Sequence, residues 1–374
     1  MNASILIVTY NSAPYLEGCL ASVSRQKGPD DEIILVDNAS PDGSAGMIRI
    51  HWPELPLVCN PENRGFAAAA NQAARLARKE MLVFLNPDTV VLPGWLEGLR
   101  QALLAGQNVA LATSRVLPAS QLQAINAPAQ VAAGRCSGKP ASWGQGFCGQ
   151  KVHFSGLVFG RADGHTAQER CKRIPVSAVS GASFAIRKAV WDELGGFDEG
   201  YWMYYEETDL SWRAWRRGYR CVAALEPAVL HERPPAASGQ ALDRMARNRY
   251  LLLLKNFHPG TLMLLAPGVI LAEAVDWGRA WTEGTRAVKA KLRANFWLLA
   301  HWPLFAIKRN DTAGDLRILE SCTYRLEPSN LPAGRAGRAL LEMCNALFCI
   351  HYRLACAVLR RLGRWRGWIR RGRT

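Results

Sequence analysis

An α/β fold, with a mostly parallel sheet covered by helices on both faces, is predicted by three observations. Apolar runs of strand length alternate with helical patterns through roughly the first 240 residues. Two of these runs, Glu32 to Val36 and Met81 to Leu85, are apolar almost without a break. Strands that are apolar on both sides of the pleat are buried on both faces, as parallel strands wrapped by helices are. Each run ends in a polar residue, Asp37 or Asn86, and in such sheets ligands bind beyond the carboxyl ends of the strands.

The elements come in order along the chain. Ala3 to Val8 reads as the first strand. Met1 leads straight into it, with no basic segment followed by an apolar one, so no secretory signal is expected. Ser12 and Pro14 supply a cap and a first-turn proline for the first helix, with Tyr15, Leu16, Cys19, Leu20 and Val23 on its buried face. Gly65 opens a second helix from Phe66 through a run of alanines to Leu76. Between Pro118 and Pro175 the chain is rich in Gly, Ala, Gln and Ser with weak periodicity, and reads as loop or insertion with one strand from Phe154 to Phe159. Beyond Gln240, Leu242, Met245, Ala246, Arg249, Tyr250 and Leu253 keep helical spacing. The expected division is a domain over 1–240 and a basic helical region over 241–374.

Charge separates the same two parts. Residues 1–239 carry 23 Lys and Arg against 22 Asp and Glu, a net of +1, while 240–374 carry 23 against 9, a net of +14, which together make the +15 of the chain. From Ile350 onward there are eight arginines and no acid. Such a tail expects an anionic partner. Leu347, Phe348, Ile350, Leu354, Val358, Leu359, Leu362, Trp365, Trp368 and Ile369 are interleaved with the arginines, which favours an anionic membrane surface over nucleic acid. Phe296, Trp297, Leu298, Leu299, Trp302, Leu304 and Phe305, flanked by Lys289, Lys291, Arg293, Lys308 and Arg309, suit a membrane–water interface as well. No stretch reaches the ~20 uninterrupted apolar residues of a spanning helix; Thr261 to Ala272, broken by Pro267-Gly268, reads as a buried or interfacial element. The ten cysteines form no CxxC pair, which fits reduced thiols in a cytosolic protein.

Polar residues cluster where the strands end: Thr9-Tyr10-Asn11, Asp37-Asn38-Ala39-Ser40, Asn63-Arg64-Gly65 and Asn86-Pro87-Asp88. One strand ending in Asp is ordinary turn chemistry; four such ends on one rim point to a site. Farther on, Glu206, Glu207 and Asp209 place three carboxylates in four positions, just after Tyr201, Trp202, Tyr204 and Tyr205. Carboxylates so crowded resist full ionisation unless a cation, a proton or an acceptor hydroxyl relieves them. Neither GxGxxG after the first strand nor GxxxxGK[ST] is present, which disfavours a dinucleotide dehydrogenase and a phosphate-loop NTPase.

The blocks IVTYNS, VDNASPDGS, NRGFAAAANQA, FLNPDTVVLPGWL, VSGASFAIRKAVWDELGGFDE, YEETDLSWRAWRRGY and LHERPPAAS, in this order over roughly residues 3–240, resemble the family 2 glycosyltransferases of GT-A fold, and within them the bacterial rhamnosyltransferase-like branch. The resemblance implies a Rossmann-like, mostly parallel sheet, a nucleotide-sugar donor (a dTDP- or UDP-sugar), a divalent cation (Mg²⁺ or Mn²⁺) and single displacement with inversion. It implies that Thr9 and Asp37 hold the nucleoside, with Asn11 at the same strand end. Asn63, Arg64 and Gly65 would line the donor pocket, with Asn71 on the following helix and Asn86 beside the diphosphate. Asp88 and His231 would serve the metal. Glu207 is the first choice for catalytic base, with Glu206 and Asp209 beside it, and Gly181 and Trp202 lie on the acceptor side.

Two positions depart from the family pattern. Asn86-Pro87-Asp88 keeps one carboxylate of the usual metal element, so a weaker metal site is expected. Glu207 stands where Asp is usual. The reading is an inverting glycosyltransferase of cell-surface polysaccharide synthesis, cytoplasmic and peripheral on the inner face of the membrane, with a glycan or polyprenyl-linked acceptor and no nucleic-acid partner. Its competitor is a glycosyltransferase-like scaffold that binds without turnover.

Overall fold

The computed structural model describes residues 1–120, 146–162, 173–232, 239–301, 312–326 and 335–371. Much of the stretch between Pro118 and Pro175, the end of the LHERPPAAS block, and Trp302, Leu304, Phe305, Lys308 and Arg309 lie outside the described residues. The chain divides into two compact units. One comprises Met1–Gln150, Gly160–Ala214 and Tyr219–Pro235; the other comprises Lys151–Phe159, Trp215–Gly218 and Ala236–Thr374.

The first unit is built on β1 (Ala3–Thr9), β2 (Glu32–Asp37), β3 (Leu57–Cys59) and β4 (Met81–Leu85), which lie in the order β3-β2-β1-β4 and pair parallel throughout. All seven residues of β1 and all five of β4 are buried, because α1 (Ala13–Ser24), α2 (Ser44–His51), α3 (Phe66–Leu76) and α4 (Trp95–Leu104) cover the sheet. The expected mostly parallel α/β sheet is therefore present. Its register sets Thr9 directly against Asp37 and Ile7 against Leu85, so four consecutive strands end on one edge.

The remaining strands extend that edge. In chain order they are β5 (Thr89–Val91), β6 (Val109–Pro118), β7 (Phe147–Val152), β8 (Val158–Ala162), β9 (Arg173–Pro175), β10 (Ser183–Arg187) and β11 (Arg220–His231). β10 enters antiparallel between β4 and β6, with Ser183 opposite Leu85, which carries the preceding Ser180-Gly181-Ala182 to the carboxyl end of β4. β11 runs parallel to β6, but from Ala223 to Ala228 it advances five residues while β6 advances only two, Thr113 to Arg115. This irregularity lets β11 pair with β9 before it and with β5 after it, ending with His231 opposite Thr89. After β10 come α5 (Lys188–Leu194), a single 3₁₀ turn (Glu199–Tyr201) and α6 (Glu206–Arg216).

Three local expectations change. The first helix is capped by Asp42, whose Oδ2 accepts from the Ala13 amide at 2.9 Å, while Ser12 makes no side-chain cap. Tyr15 is exposed, so only Leu16, Cys19, Leu20 and Val23 of the expected face are buried. Phe154–Leu157 form a turn between β7 and β8, not a strand: His153 N–H donates to Leu157 C=O and Gly156 N–H to His153 C=O, both at 2.8 Å, and Gly156 has φ 81°.

The second unit is helical: α7 (Gly239–Asn256), α8 (Pro259–Glu283), α9 (Thr285–His301), α10 (Ala313–Ser321) and α11 (Arg335–Arg371). The segment Thr261 to Ala272 is not a short element, because α8 continues for 25 residues through Pro267. By length and composition α8 and residues 337–363 of α11 are apolar enough to cross a membrane, with mean hydropathies of 1.4 and 1.2 and a third of each window buried. Asp315 fastens the start of α8, accepting from His258 N–H at 3.0 Å and Thr261 Oγ1 at 2.6 Å. Arg249, Lys291, Glu273 and Asp276 form a charge cluster linking α7, α8 and α9. Burial alone would raise the Asp276 carboxyl, but Arg249, Lys291 and Arg279 outweigh it and hold it below its ordinary value. Removing one partner from such a cluster leaves a buried uncompensated charge.

Beneath the rim, Trp95 is fully buried and its indole N–H points at two hydroxyls, Ser183 Oγ at 2.9 Å and Ser114 Oγ at 3.2 Å, themselves 2.6 Å apart. Trp95→Phe keeps the aromatic bulk and removes that donor. We expect it to lower unfolding stability by about 1–3 kcal/mol, seen as a lower urea midpoint at unchanged slope; a change within ~0.5 kcal/mol, the range of ordinary surface substitutions, would show that the hydroxyls satisfy each other without the indole.

Candidate active site

The rim is built from short polar contacts between strand ends. Thr9 Oγ1 donates to Asp37 Oδ1 at 2.9 Å, and Asp37 Oδ2 accepts from Ser40 N–H at 3.0 Å, so the carboxylate is held from two sides at the end of β2. Asn11 lies on the same edge with φ 55°, its N–H donating to Ser40 Oγ. Asn38, which the sequence did not single out, organises the loop after β3. Its amide donates to Asn63 Oδ1 at 2.9 Å and Gly65 C=O at 3.2 Å, and its Oδ1 accepts from Asn60 Nδ2 and from Arg64 N–H. Asn63, Arg64 and Gly65 are thereby brought beside Asp37.

Gly65 has φ 81°, and a Cβ there would lie 2.7 Å from the Trp202 ring and from its carbonyl oxygen. That carbonyl accepts from Ala67 N–H at 3.1 Å. The loop after β3 is thus packed against Trp202. Asn71 is engaged elsewhere: its amide clasps the Phe197 backbone, donating to its C=O and accepting from its N–H at 2.9 Å each, and donates to Glu199 Oε1 at 3.0 Å. Its contribution is to hold the segment leading to Trp202.

At the end of β4, Asn86 N–H donates to Ala182 C=O at 3.0 Å. The β5–β11 pairing brings together residues far apart in the chain: Asp88 Oδ1 lies 3.2 Å from His231 Nε2, and Asn86 Nδ2 lies 3.5 Å from the same nitrogen. Asp88 Oδ1 and His231 Nδ1 are buried atoms with no hydrogen-bond partner. Among the described residues no group of three or more His, Cys, Asp or Glu side chains forms a complete metal cluster. A carboxylate oxygen beside an imidazole nitrogen is a donor pair that a divalent cation could use.

The three carboxylates divide by role. Asp209 is taken up by structure: Arg213 Nε donates to Oδ2 at 2.7 Å and Tyr201 Oη to Oδ1 at 3.2 Å, while Arg213 also binds the Leu194 and Gly196 carbonyls. Burial, with Asp209 next to it, pushes the Tyr201 phenol well above its usual range. Glu206 and Glu207 are both buried in the first turn of α6. Burial and the adjacent Glu207 push Glu206 well above the ordinary carboxylate value. Burial also raises Glu207, but the Gln150 amide opposes it, donating to Oε1 at 2.7 Å. Both carboxyls are thus pushed toward the protonated form, Glu206 the more strongly, with the Gln150 hydrogen bond opposing the shift at Glu207.

Gln150 is the second residue that the sequence did not reveal. Thr208 Oγ1 donates to its Oε1 at 2.8 Å, which fixes the amide with its NH₂ toward Glu207. It lies in the weakly patterned stretch after Pro118, where no spacing marks it. Glu207 Oε2 has no hydrogen-bond partner. Gly181, two residues before β10, faces this carboxyl: a Cβ there would sit 3.5 Å from Glu207 Cδ. Just before α6, Trp202, Tyr204 and Tyr205 have φ of 65°, 69° and 74°. Left-handed backbone at non-glycine residues costs roughly 1–3 kcal/mol each and gathers at functional sites.

The family model described as "Glycosyl transferase family 2" matches residues 4–195, half of the chain. The chain is 24% identical over 315 residues to the N-acetylglucosaminyl-diphospho-decaprenol L-rhamnosyltransferase of Mycobacterium tuberculosis, covering 77% of this chain and 91% of that protein. Among solved structures it is similar to GalNAc-T7 with UDP, GalNAc and Mn²⁺, at a TM-score of 0.53 and 18% identity, over 81% of this chain but only 58% of the other. It is also similar to Staphylococcus aureus TarS 1–349 in complex with UDP-GlcNAc, at a TM-score of 0.50 and 15% identity, over 96% and 92% of the two chains. At such identities the structural likeness establishes the fold. The expected resemblance is borne out: the chain belongs to glycosyl transferase family 2, with the GT-A fold, and is a glycosyltransferase.

Proposed function

We propose that this chain moves a sugar from a nucleoside-diphosphate donor to a hydroxyl of a glycan or polyprenyl-linked acceptor, with inversion, in building bacterial cell-surface polysaccharide. The observation that carries the reading is Glu207: a buried carboxylate with one oxygen held by Gln150 and the other unpartnered, facing Gly181 at the rim where the strands end. Rhamnose from a dTDP-linked donor, or a sugar from a UDP-linked one, and a lipid-diphosphate acceptor agree with the name of the mycobacterial relative and the UDP-GlcNAc of the TarS structure.

Asp37, pinned by Thr9 and Ser40, offers its remaining lone pairs to the base or ribose, and the Asn63–Gly65 loop borders the sugar. Asp88 and His231 would hold a divalent cation, which when bound supplies Lewis-acid stabilisation to the departing diphosphate. Glu207 Oε2 accepts the proton of the acceptor hydroxyl as the new C–O bond forms on the face opposite the diphosphate. A base must lie within hydrogen-bond reach of that proton, and the absent side chain at Gly181 leaves room for the acceptor there. Glu206, which burial and the adjacent Glu207 push toward its neutral form, would add no second negative charge.

Four substitutions test this. Glu207→Gln should lower transfer by ~10²–10⁴-fold with donor affinity nearly unchanged in calorimetry. Glu206→Gln resembles the protonated side chain and should keep most activity. Equal loss in both, or loss only in the Glu206 variant, would move the base assignment. In the folded chain Glu206 binds its proton more tightly than in the unfolded chain, so it lowers stability as pH rises above the ordinary Glu range; the Gln variant should accordingly melt higher at neutral pH.

Gln150→Leu removes a hydrogen bond to the charged form of Glu207, which raises its pKa. The acid limb of kcat/KM should shift to higher pH, with activity recovering in mildly alkaline buffer. An unmoved limb with uniformly low activity would make Gln150 purely structural.

Asp88→Asn should abolish the gain in stability that Mn²⁺ adds to a nucleoside-diphosphate sugar in thermal-shift assays. Ligand at 100 times its dissociation constant is worth ~2.7 kcal/mol to the wild type. A metal-dependent shift that survives in the variant would place the cation elsewhere. Release of nucleoside diphosphate from a donor and acceptor pair by the wild type separates turnover from a binding-only scaffold.

A further inference from the structure

α11 carries two apolar faces, and only one is used inside the fold. Phe348, Ala355 and Leu359 are buried against the rest of the helical unit. On the other side Met343, Leu347, Ile350, Leu354, Val358 and Leu362 are all between 41% and 61% exposed. At about 100° per residue the first five fall within one narrow stripe, and the sequence repeats the spacing at Trp365 and Trp368. Arg353 is exposed beside that stripe and Arg361 within it, while Arg360 is ion-paired with Glu320 at 3.0 Å; no acid follows Ile350. α8, in the same unit, likewise leaves Met263, Ile270 and Trp281 exposed.

We propose that this stripe is a docking surface for an anionic lipid bilayer, on which α11 lies in the plane of the headgroups. An exposed apolar stripe bordered by arginines matches such an interface in both of its chemistries: apolar side chains enter the acyl boundary, and guanidinium groups meet phosphates. A second copy of this chain is the poorer occupant, because pairing two such stripes would bring the arginine-rich ends together or lay them on a helix whose exposed acid is Glu342. Crossing the membrane is also disfavoured. Glu342 is ion-paired with Arg325 at 3.0 Å, and Asn345 is bonded to the Leu326 backbone, accepting at 2.8 Å and donating at 3.3 Å. Spanning would strip both contacts from the helix and carry Glu342 and Arg353 into hydrocarbon. The inference goes beyond the transfer reaction and does not depend on which sugar is moved.

The test is flotation of the full chain with phosphatidylcholine vesicles, with and without phosphatidylglycerol. Wild type should float with the anionic vesicles, at least roughly ten-fold more weakly with neutral ones, and be partly released by salt, since charge is screened while apolar insertion is not. Ile350→Asp with Leu354→Asp changes exposed side chains only, so fold and donor binding should persist while flotation is lost on both vesicles. Arg353→Glu with Arg361→Glu should remove the preference for anionic lipid and leave weak, salt-independent binding.

Undiminished flotation of the Asp variant would overturn the proposal, as would absence of flotation by the wild type. Resistance of bound protein to alkaline carbonate would replace docking by spanning. A vesicle-free dimer dissolved by the Asp variant would assign the stripe to a second copy. None of these readouts requires turnover, so a failed transfer assay and a failed docking assay are separate results.

Discussion

A sheet buried on both faces leaves its polar chemistry one exit, the carboxyl ends of its strands, and the first unit is organised by that constraint. β1 and β4 bury every residue, so no functional side chain can leave the sheet from mid-strand without a buried polar group being stranded there. Thr9 and Asp37 are the last residues of β1 and β2 and are paired in register, which makes their hydrogen bond a consequence of strand alignment. The antiparallel entry of β10 then brings the chain back to the same edge, so that Gly181 arrives at the rim by topology. The switch of β11 from β9 to β5 does the same for His231.

Glu206 and Glu207 are the second constraint, and it opposes stability. Two carboxyls in the first turn of α6 gain from the helix dipole, which is worth only ~0.3–1 kcal/mol at most exposed sites. Burial works against ionisation more strongly, and both carboxyls are raised. The surroundings differ: Gln150 donates to Glu207 and opposes its shift, while Glu207 and Asp209 add to the shift of Glu206. The left-handed residues Trp202, Tyr204 and Tyr205 add strain just upstream. Strained backbone of this kind gathers at functional sites.

The helical unit solves a different problem. Its buried charges are paired: Arg249 and Lys291 both reach Glu273 and Asp276. Its unpaired apolar area is on the outside, along α11 and part of α8.

Much of the first unit was legible in the sequence, because periodicity and strand-end chemistry are local. The runs Glu32–Asp37 and Met81–Leu85 and the helix Phe66–Leu76 fall where the residues placed them, and ordered motifs named the family. Long-range partners were not legible. Nothing local in Gln150 says that its amide will meet Glu207, 57 positions away, and nothing in Asn38 says that it will hold the loop after β3. The Asp42 cap on the first helix, 29 residues away in the chain, was likewise settled only by folding. Sequence by itself determined which residue types end the strands, since burial of a parallel sheet dictates that pattern. Only the tertiary structure decided which carboxylate is spent on an arginine and which meets a glutamine amide, because those fates depend on neighbours that the chain brings together only by folding.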